Sequence, residues 1–279
     1  MGQHPGGYYR ADSKEMDMAD SVLFDSDDGV LTVTLNEPES MNALTPGISK
    51  GISEALERAE DDAVRVLLLT GSGRGFCAGA AIGVGGISGG GGKSRSQRLD
   101  QRGGSGRSVE AFSRCDKPII AAVNGAAVGA GFGLALCCDV RILGESARMG
   151  SIFIKRGLAS DYGAAYWLPR IVGMSKAYDI LYSGDLLNAQ QCLEVGLASR
   201  VVADDQLAGE ARALARKIAD GPPLAYTVLR RMMQRTSDMD VATFAEYEWT
   251  SQKLLLETQD SVEGFKAFNE KREPKFTGE

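Results

Sequence analysis

The sequence predicts an α/β protein with a helical C-terminal region. Residues 30–35 alternate apolar and polar side chains with a period of two, which is typical of a half-buried strand. Residues 64–70 and 118–120 are apolar and rich in β-branched side chains, which indicates two buried strands. Apolar residues recur at helical spacing between the first two strands and again beyond residue 175. Strands that alternate with helices favour a sheet covered by helices.

The first helix is predicted to begin at Thr45 and Pro46, because a threonine followed by a proline is a good helix start. A short helix is expected over residues 108–115, and it should end before Pro118. Residues 140–143 indicate another strand. One face of the first helix is apolar and consists of Ile48, Ile52, Leu56 and Ala59.

The second half of the chain is predicted to be mostly helical. A helix that runs on to Ile171 should begin near Ser160 or Asp161, since either side chain would cap it. The spacing of apolar residues further along suits helices that pack on a protein body or on a partner. These amphipathic stretches are residues 204–219, 222–236, 240–257 and 260–271.

Two segments have a different composition. Residues 1–29 are polar and acidic, and we expect a disordered leader rather than a secretory signal. Residues 83–106 hold ten glycines and several arginines, which indicates a long, mobile loop. This loop is either a solvated linker or a lid over an active site, with its arginines near the phosphates of a ligand.

Composition excludes several classes of function. The 279 residues are 43% hydrophobic and carry a net charge of −6, without a basic stripe that would bind nucleic acid or an apolar run that would cross a membrane. Five cysteines without Cys-x-x-Cys spacing argue against a disulfide framework or a zinc site and suit reduced thiols in the cytoplasm. His4 is the only histidine, which argues against a Ser–His–acid triad and against imidazole metal sites. We therefore expect no metal and no separate cofactor.

Two glycine-rich turns each follow a predicted strand. Residues 121–133 consist largely of glycine and alanine and lie between the strand at 118–120 and a helical segment at 134–138. Residues 71–81 follow the strand at 64–70 in the same way. Small residues let a ligand reach the backbone, and the first N–H groups of a helix attract negative charge. Such turns could direct two N–H groups at one oxygen that becomes anionic, or they could serve close packing of a helix on a sheet.

Five motifs stand in a characteristic order: Phe76-Cys77-Ala78-Gly79-Ala80, Asn124-Gly125 through Gly131, Cys138-Asp139-Val140-Arg141, residues 196–202, and Glu270-Lys271-Arg272. In these motifs the chain resembles the crotonase superfamily, also called the enoyl-CoA hydratase/isomerase family, from about residue 30 to residue 278. The resemblance implies a crotonase (ClpP-like) fold, with a repeated β-β-α spiral core over residues 30–203. It further implies a C-terminal helical trimerisation region over residues 204–279, and hence a homotrimer or homohexamer.

Members of this family bind acyl-CoA thioesters and hold the thioester carbonyl in an oxyanion hole of two backbone N–H groups. By position, the resemblance assigns these groups to Ala80 and Ala130. Coenzyme A belongs to the substrate, and alanine at position 81 replaces the usual aspartate of its adenine pocket. The residues that the resemblance assigns to coenzyme A are Ser40, Met41, Ala78, Ala80, Ala81, Ile82, Phe268 and Lys271.

The hydratases of the family use two glutamates, at the positions that Gly133 and Phe153 occupy here. Adding water to a double bond normally needs a pair of carboxylates, which these two residues cannot supply. Asp161 matches the aspartate of dienoyl-CoA isomerases and of ring-modifying isomerases in the family. One carboxylate can shift a double bond, and apolar neighbours such as Phe153, Tyr162 or Trp167 would tune it by desolvation.

Three functions remain open at this stage. Double-bond or ring isomerisation of an acyl-CoA by Asp161 is favoured. The first alternative is a hydratase that uses Asp161 with water or with a residue of the loop at 83–106. The second alternative is an acyl-CoA-binding protein without catalysis, in which Asp161 serves only as a helix cap. The acyl group is not determined by the sequence.

Overall fold

Two sheets form the centre of the chain, which a computed structural model describes over residues 21–81, 94, 96 and 99–279. In this described part the larger sheet has the order β1 (Val22–Asp27), β2 (Val30–Leu35), β3 (Val66–Gly71), β5 (Ile119–Val123), β7 (Val140–Gly144) and β10 (Arg200–Val202). The smaller sheet has the order β4 (Gly75–Cys77), β6 (Ala126–Val128), β8 (Arg148–Gly150) and β9 (Leu187–Asn188). Strand β1 pairs antiparallel with β2, whereas the other pairs of the larger sheet are parallel.

The helices surround the sheets and dominate the C-terminal third of the chain. They are α1 (Pro46–Arg58), α2 (Gly103–Arg114), α3 (Ala130–Cys137), α4 (Ala164–Val172), α5 (Met174–Ser183), α6 (Ala189–Glu194), α7 (Leu207–Ala219), α8 (Pro223–Arg235), α9 (Val241–Leu256) and α10 (Gln259–Glu270). Helix α1 begins as predicted, because the Thr45 hydroxyl accepts a hydrogen bond from the Ile48 amide at 3.2 Å. Helix α2 begins at Gly103, five residues earlier than predicted.

The predicted β-β-α repeat is confirmed. Strands β3, β5 and β7 each lie in the larger sheet, and the next strand of each, β4, β6 and β8, lies in the smaller one. A helix follows each pair of strands along the chain: α2, α3 and α4. Each repeat therefore contributes one strand to each sheet, which is the α/β crotonase arrangement that the resemblance implied.

The predicted leader is too long. Residues 22–27 form β1, which pairs with β2 over six residues, from Val22 opposite Leu35 to Asp27 opposite Val30. This strand was not predicted because Asp25, Ser26 and Asp27 are polar. An edge strand can carry such polar side chains at exposed positions. Residues 1–20 of the predicted leader lie outside the described residues.

The predicted boundary at residue 204 also needs correction. Helix α7 places Leu207, Ala211, Ala215 and Ala219 on one buried face, at a spacing of four residues. This face packs against the side of the larger sheet formed by Val66, Leu68, Ile120 and Ile142. Helix α7 therefore belongs to the core, and the helices available for contacts with another chain begin with α8.

Helix α8 is attached to the core by an ion pair. The Arg230 guanidinium is 7% exposed and donates to the Asp139 carboxylate, with Nε 2.9 Å from Oδ2. The same guanidinium donates to the carbonyl of Phe112 in α2 at 3.0 Å. Helices α9 and α10 keep large apolar side chains exposed, including Trp249, Phe265 and Phe268. No helix in the described ranges is long and apolar enough to cross a bilayer.

Candidate active site

The pairing of two short strands brings the two glycine-rich turns together. Strands β4 and β6 are parallel, with Gly75 opposite Ala126 and Cys77 opposite Ala127. Because parallel neighbours end at the same edge of a sheet, the segments that follow them leave side by side. Ala80 follows β4 by three residues, and Ala130 follows β6 by two. The turns that carry these alanines thus follow strands of the smaller sheet. The sequence had predicted them directly after the strands at 64–70 and 118–120, which belong to the larger sheet.

Two glycines allow the backbones of these turns to touch. Gly79 has φ +90° and Gly129 has φ +60°, a region that side chains rarely permit. A methyl group on Gly79 would lie 2.6 Å from the Val128 carbonyl oxygen and 3.0 Å from the Ala130 nitrogen. The backbone before Ala80 is therefore in contact with the backbone that presents the Ala130 amide.

The amides of Ala80 and Ala130 are available to a ligand. Within the described residues, neither N–H donates a hydrogen bond to a protein acceptor. Ala130 is the first residue of α3, where the helix dipole favours negative charge. Ala80 is exposed and Ala130 is 2% exposed, yet both line the same groove. Two such donors can hold an oxygen that gains negative charge during a reaction.

Two asparagines connect the segments that lead to Ala80 and to Ala130. The Asn42 side-chain amide donates to the carbonyl oxygens of Ser72 at 3.0 Å and Gly75 at 2.8 Å. The Asn124 amide donates to the Gly75 carbonyl as well, at 3.3 Å. Asn42 is fully buried. A single carbonyl, that of Gly75 in β4, thus joins the loop before α1 to the turn between β5 and β6.

The residues assigned to coenzyme A are only partly brought together. The Ala78 amide donates to the Met41 carbonyl at 2.9 Å, which places the Ser40–Met41 loop beside the segment that leads to Ala80. Ala81 follows as an exposed residue, and Ile82 lies outside the described residues. Phe268 is 81% exposed, and Lys271 is exposed too. The last two do not line the groove of Ala80 and Ala130, so a single chain does not deliver them to it.

Asp161 lines the same groove as Ala80 and Ala130. Its carboxylate accepts a hydrogen bond from the next amide, that of Tyr162, with Oδ1 2.8 Å from the nitrogen. Asp161 is exposed, so the apolar desolvation expected for it is not supplied by the described residues of one chain. A bound acyl group would have to provide that desolvation.

The carboxylate of Asp161 is not used as a helix cap. Helix α4 begins after Gly163, and its Ala165 amide donates to the Ser160 hydroxyl at 3.1 Å. Asp161 accepts from the Ala164 amide only through its backbone carbonyl, at 3.1 Å. Of the two capping candidates, Ser160 therefore serves the first turn, and the Asp161 side chain stays available to the groove.

Gly133 and Phe153, which occupy the positions of the two hydratase glutamates, lie in different environments. Gly133 lies in α3, one turn after Ala130, and a methyl group there would lie 2.6 Å from the Tyr162 carbonyl oxygen. No side chain fits at this position without moving the Tyr162 backbone. Phe153 is half-buried, and its ring lies 3.8 Å from the methyl position on Gly129. An apolar ring thus borders the turn that presents the Ala130 amide.

Tyr162 is the residue of this site that the sequence did not single out beyond its apolar character. Its φ of +52° is unusual for a bulky residue, although the side chain is only 6% exposed. Burial raises the pKa of its phenol, so the hydroxyl stays protonated. Its carbonyl accepts a weak hydrogen bond from the Cys137 thiol at 3.8 Å. The sequence offered one sign of its importance, namely that Tyr162 directly follows the candidate acid Asp161. The structure adds the strained backbone, and strained residues cluster at functional sites.

Known proteins that are similar to this chain carry the names of enoyl-CoA hydratases and isomerases. A family model described as enoyl-CoA hydratase/isomerase matches residues 25–279. The 1,2-epoxyphenylacetyl-CoA isomerase of Escherichia coli K12 is 36% identical over 273 residues, covering 94% of this chain and 100% of the relative. The crotonyl-CoA hydratase of Syntrophomonas wolfei is 32% identical over 262 residues, covering 92% of this chain and 98% of the relative. The enoyl-CoA hydratase structure from Bacillus anthracis gives a TM-score of 0.84 at 30% identity, covering 93% of this chain and 100% of that chain.

Proposed function

Because the chain belongs to the enoyl-CoA hydratase/isomerase family, we propose that it isomerises an acyl-CoA thioester by moving one proton with Asp161. A relative of 36% identity carries the name of an isomerase and supports this choice. The observation that carries the proposal is the groove itself. It joins the unpaired amides of Ala80 and Ala130 to the Asp161 carboxylate, while position 133, where the hydratases of the family carry a glutamate, is closed to any side chain.

The chemistry follows from these groups. The thioester carbonyl oxygen accepts hydrogen bonds from the Ala80 and Ala130 amides. The Asp161 carboxylate removes a proton from a carbon conjugated with the carbonyl, and the electron pair moves onto the oxygen as an enolate. Each oxyanion donor stabilises such a charge by about 3 kcal/mol in the transition state. Because the Asp161 carboxyl group is exposed, the proton that it takes up exchanges with water before a proton is delivered to a different carbon. The double bond moves, and no atom is gained or lost overall.

Proton exchange tests this proposal. The wild-type protein is incubated in heavy water with 2-enoyl- and 3-enoyl-CoA esters, and deuterium at the α- and γ-carbons is measured by mass spectrometry. We expect exchange, and a loss of about 100-fold or more in Asp161→Asn, because a positioned base contributes about 10² to 10⁴ in rate. Asp62→Asn is the matched control, since Asp62 is another carboxylate that lines the groove.

Two outcomes contradict the proposal. Exchange that is equally fast in Asp161→Asn would show that another group moves the proton. No exchange in the wild-type protein, together with tight acyl-CoA binding by calorimetry, would instead favour a binding protein without catalysis.

A hydratase is the second candidate, because the exposure of Asp161 gives water access to its carboxylate. A relative of 32% identity carries the name crotonyl-CoA hydratase. Incubation with crotonyl-CoA separates the two functions, since hydration removes the enoyl absorbance whereas proton exchange alone preserves it. Steady loss of absorbance that Asp161→Asn abolishes would support the hydratase over the isomerase.

We also propose that the protein is a homotrimer or homohexamer in the cytoplasm. The exposed apolar side chains of α9 and α10 support assembly, because isolated chains rarely leave Trp249, Phe265 and Phe268 uncovered together. The five unpaired cysteines suit a reducing compartment. Light scattering of the purified protein measures the assembly, and a monomeric mass would contradict it.

A further inference from the structure

Gly133 faces the backbone that carries Asp161. A methyl group on Gly133 would lie 2.6 Å from the Tyr162 carbonyl oxygen and 2.7 Å from the Tyr162 Cβ atom. Real Cβ atoms do not approach backbone so closely, so any side chain at 133 must increase the separation between residue 162 and helix α3. The absence of a side chain lets the two backbones pack directly against each other.

Displacement of Tyr162 would be passed on to the carboxylate. The Tyr162 amide donates to Asp161 Oδ1 at 2.8 Å, so the peptide between the two residues and the carboxylate form one small ring. Within the described residues, this is the only hydrogen bond that the Asp161 side chain makes. The position of the carboxylate therefore follows the position of residue 162.

Helix α3, which contains Gly133, also sets the position of the Ala130 amide, the proposed oxyanion donor. Gly133 lies in α3 three residues after Ala130, which is about one helical turn, or roughly 5 Å along the axis. Helix α3 is buried over its whole length. It therefore acts as one rigid element that presents the Ala130 amide at its first residue and supports the Asp161 segment at its fourth.

From this geometry we infer that Gly133 is a positioning residue, which fixes the distance between the Asp161 carboxylate and the thioester oxygen held at Ala130. The inference rests on the proposed proton transfer by Asp161. It also adds a role for position 133, where comparison with the hydratases of the family shows only a missing glutamate. Glycine at 133 is thus a requirement of this site. It also implies that a glutamate restored at 133 would disturb the carboxylate of Asp161 instead of assisting it.

The variant Gly133→Ala tests this inference in the full-length protein. Proton exchange into the best CoA ester of the panel is measured as kcat and KM. We expect kcat to fall by about 100-fold, because a displacement of about 1 Å in a reacting group can cost that factor. We expect KM to stay within about threefold, since the coenzyme A contacts and the two amides are not on the displaced segment.

The control variant is Gly209→Ala. Gly209 also lies in a helix, α7, but a methyl group there has nothing within 4 Å. We expect it to keep wild-type kcat and KM. Thermal unfolding of all variants identifies any general loss of structure, and acyl-CoA binding by calorimetry shows that the groove is intact.

A double variant distinguishes positioning from a structural effect. In the Asp161→Asn background there is no carboxylate to misplace, so adding Gly133→Ala should leave the residual rate unchanged. An equal fall of the residual rate in that background would overturn the inference, because the substitution would then act through the Ala130 amide or through folding. Unchanged kcat in Gly133→Ala alone would also overturn it.

The wild-type measurement separates this inference from the proposed function. No exchange in the wild-type protein refutes the proton transfer, and the role of Gly133 falls with it. Exchange in the wild-type protein with a dependence on Asp161 but not on Gly133 refutes the inference alone.

Discussion

The two sides of the groove differ in how they obtain their chemistry. On one side, buried α3 and the turn before it present backbone amides, and residues 129–131 carry no side chain larger than that of alanine. On the other side, an exposed segment presents a carboxylate that only aspartate at position 161 supplies. The first side depends on backbone geometry and tolerates a change of side chain, whereas the second depends on one side chain. In the proposed mechanism, a carboxylate at a different position would change the reaction while the Ala80 and Ala130 amides keep their role.

The largest effect on kcat is expected when Ala130 on the buried side loses its N–H group. Ala130→Pro removes the N–H at the first position of α3, a position where helices tolerate proline. Loss of one oxyanion donor should lower kcat for proton exchange by about 10² to 10³-fold. Ala130→Gly keeps the N–H and is the matched control, with kcat close to wild type. Equal rates in Ala130→Pro and wild type would show that this side does not hold the oxygen.

A smaller effect is expected from the thiol of Cys77, a residue of β4 that packs against Gly131 on the buried side. Burial raises the pKa of Cys77 from 9.0 to about 11. The unfolded chain loses this proton near pH 9 and the folded chain near pH 11, so the stabilisation is fully present below pH 9 and is lost as the pH rises towards 11. The free energy of unfolding should fall by about 1.4 kcal/mol between pH 8 and pH 10 through this group.

Urea unfolding at the two pH values measures this loss. The variant Cys77→Ala removes the titrating thiol, and its stability should therefore fall less between pH 8 and pH 10 than that of the wild-type protein. Equal losses in the two proteins would contradict the assignment. The exposed side has no corresponding buried thiol among its residues 158–163.

The smallest effect is expected on the exposed side. Ser160→Ala removes the hydroxyl that accepts from the Ala165 amide in the first turn of α4. Urea unfolding should show a loss of about 1 kcal/mol, as for other helix caps. Ser53→Ala on the exposed face of α1 is the control, and its effect should lie within about 0.5 kcal/mol. If Asp161→Ala lost as much stability as Ser160→Ala, Asp161 would share the capping role.

Much of the fold was predictable because long periodic segments carry a strong signal. The strand at 30–35, the start of α1 and the amphipathic C-terminal helices follow from apolar spacing and capping residues. The strands β4, β6 and β8 have three residues each and were not predicted, because three residues show no period. The role of α7 was missed as well, since spacing shows that a face is apolar but not what covers it.

The candidate site was predictable in its residues more than in its geometry. The resemblance to the family selected Ala80, Ala130 and Asp161, and the structure places all three on one groove. The contact of Gly133 with Tyr162 was not predictable, because it joins segments that are about 30 residues apart and depends on a positive φ at Tyr162. The exposure of Phe268 and Lys271 in a single chain was not predicted.

The shared carbonyl of Gly75 has a consequence for how the protein acquires its site. Asn42 and Asn124 both donate to it, although they lie 82 positions apart in the sequence. A chain that has closed these contacts during folding has already aligned β4 with the turn before β6. The framework that carries the Ala80 and Ala130 amides is therefore built from contacts within the polypeptide itself.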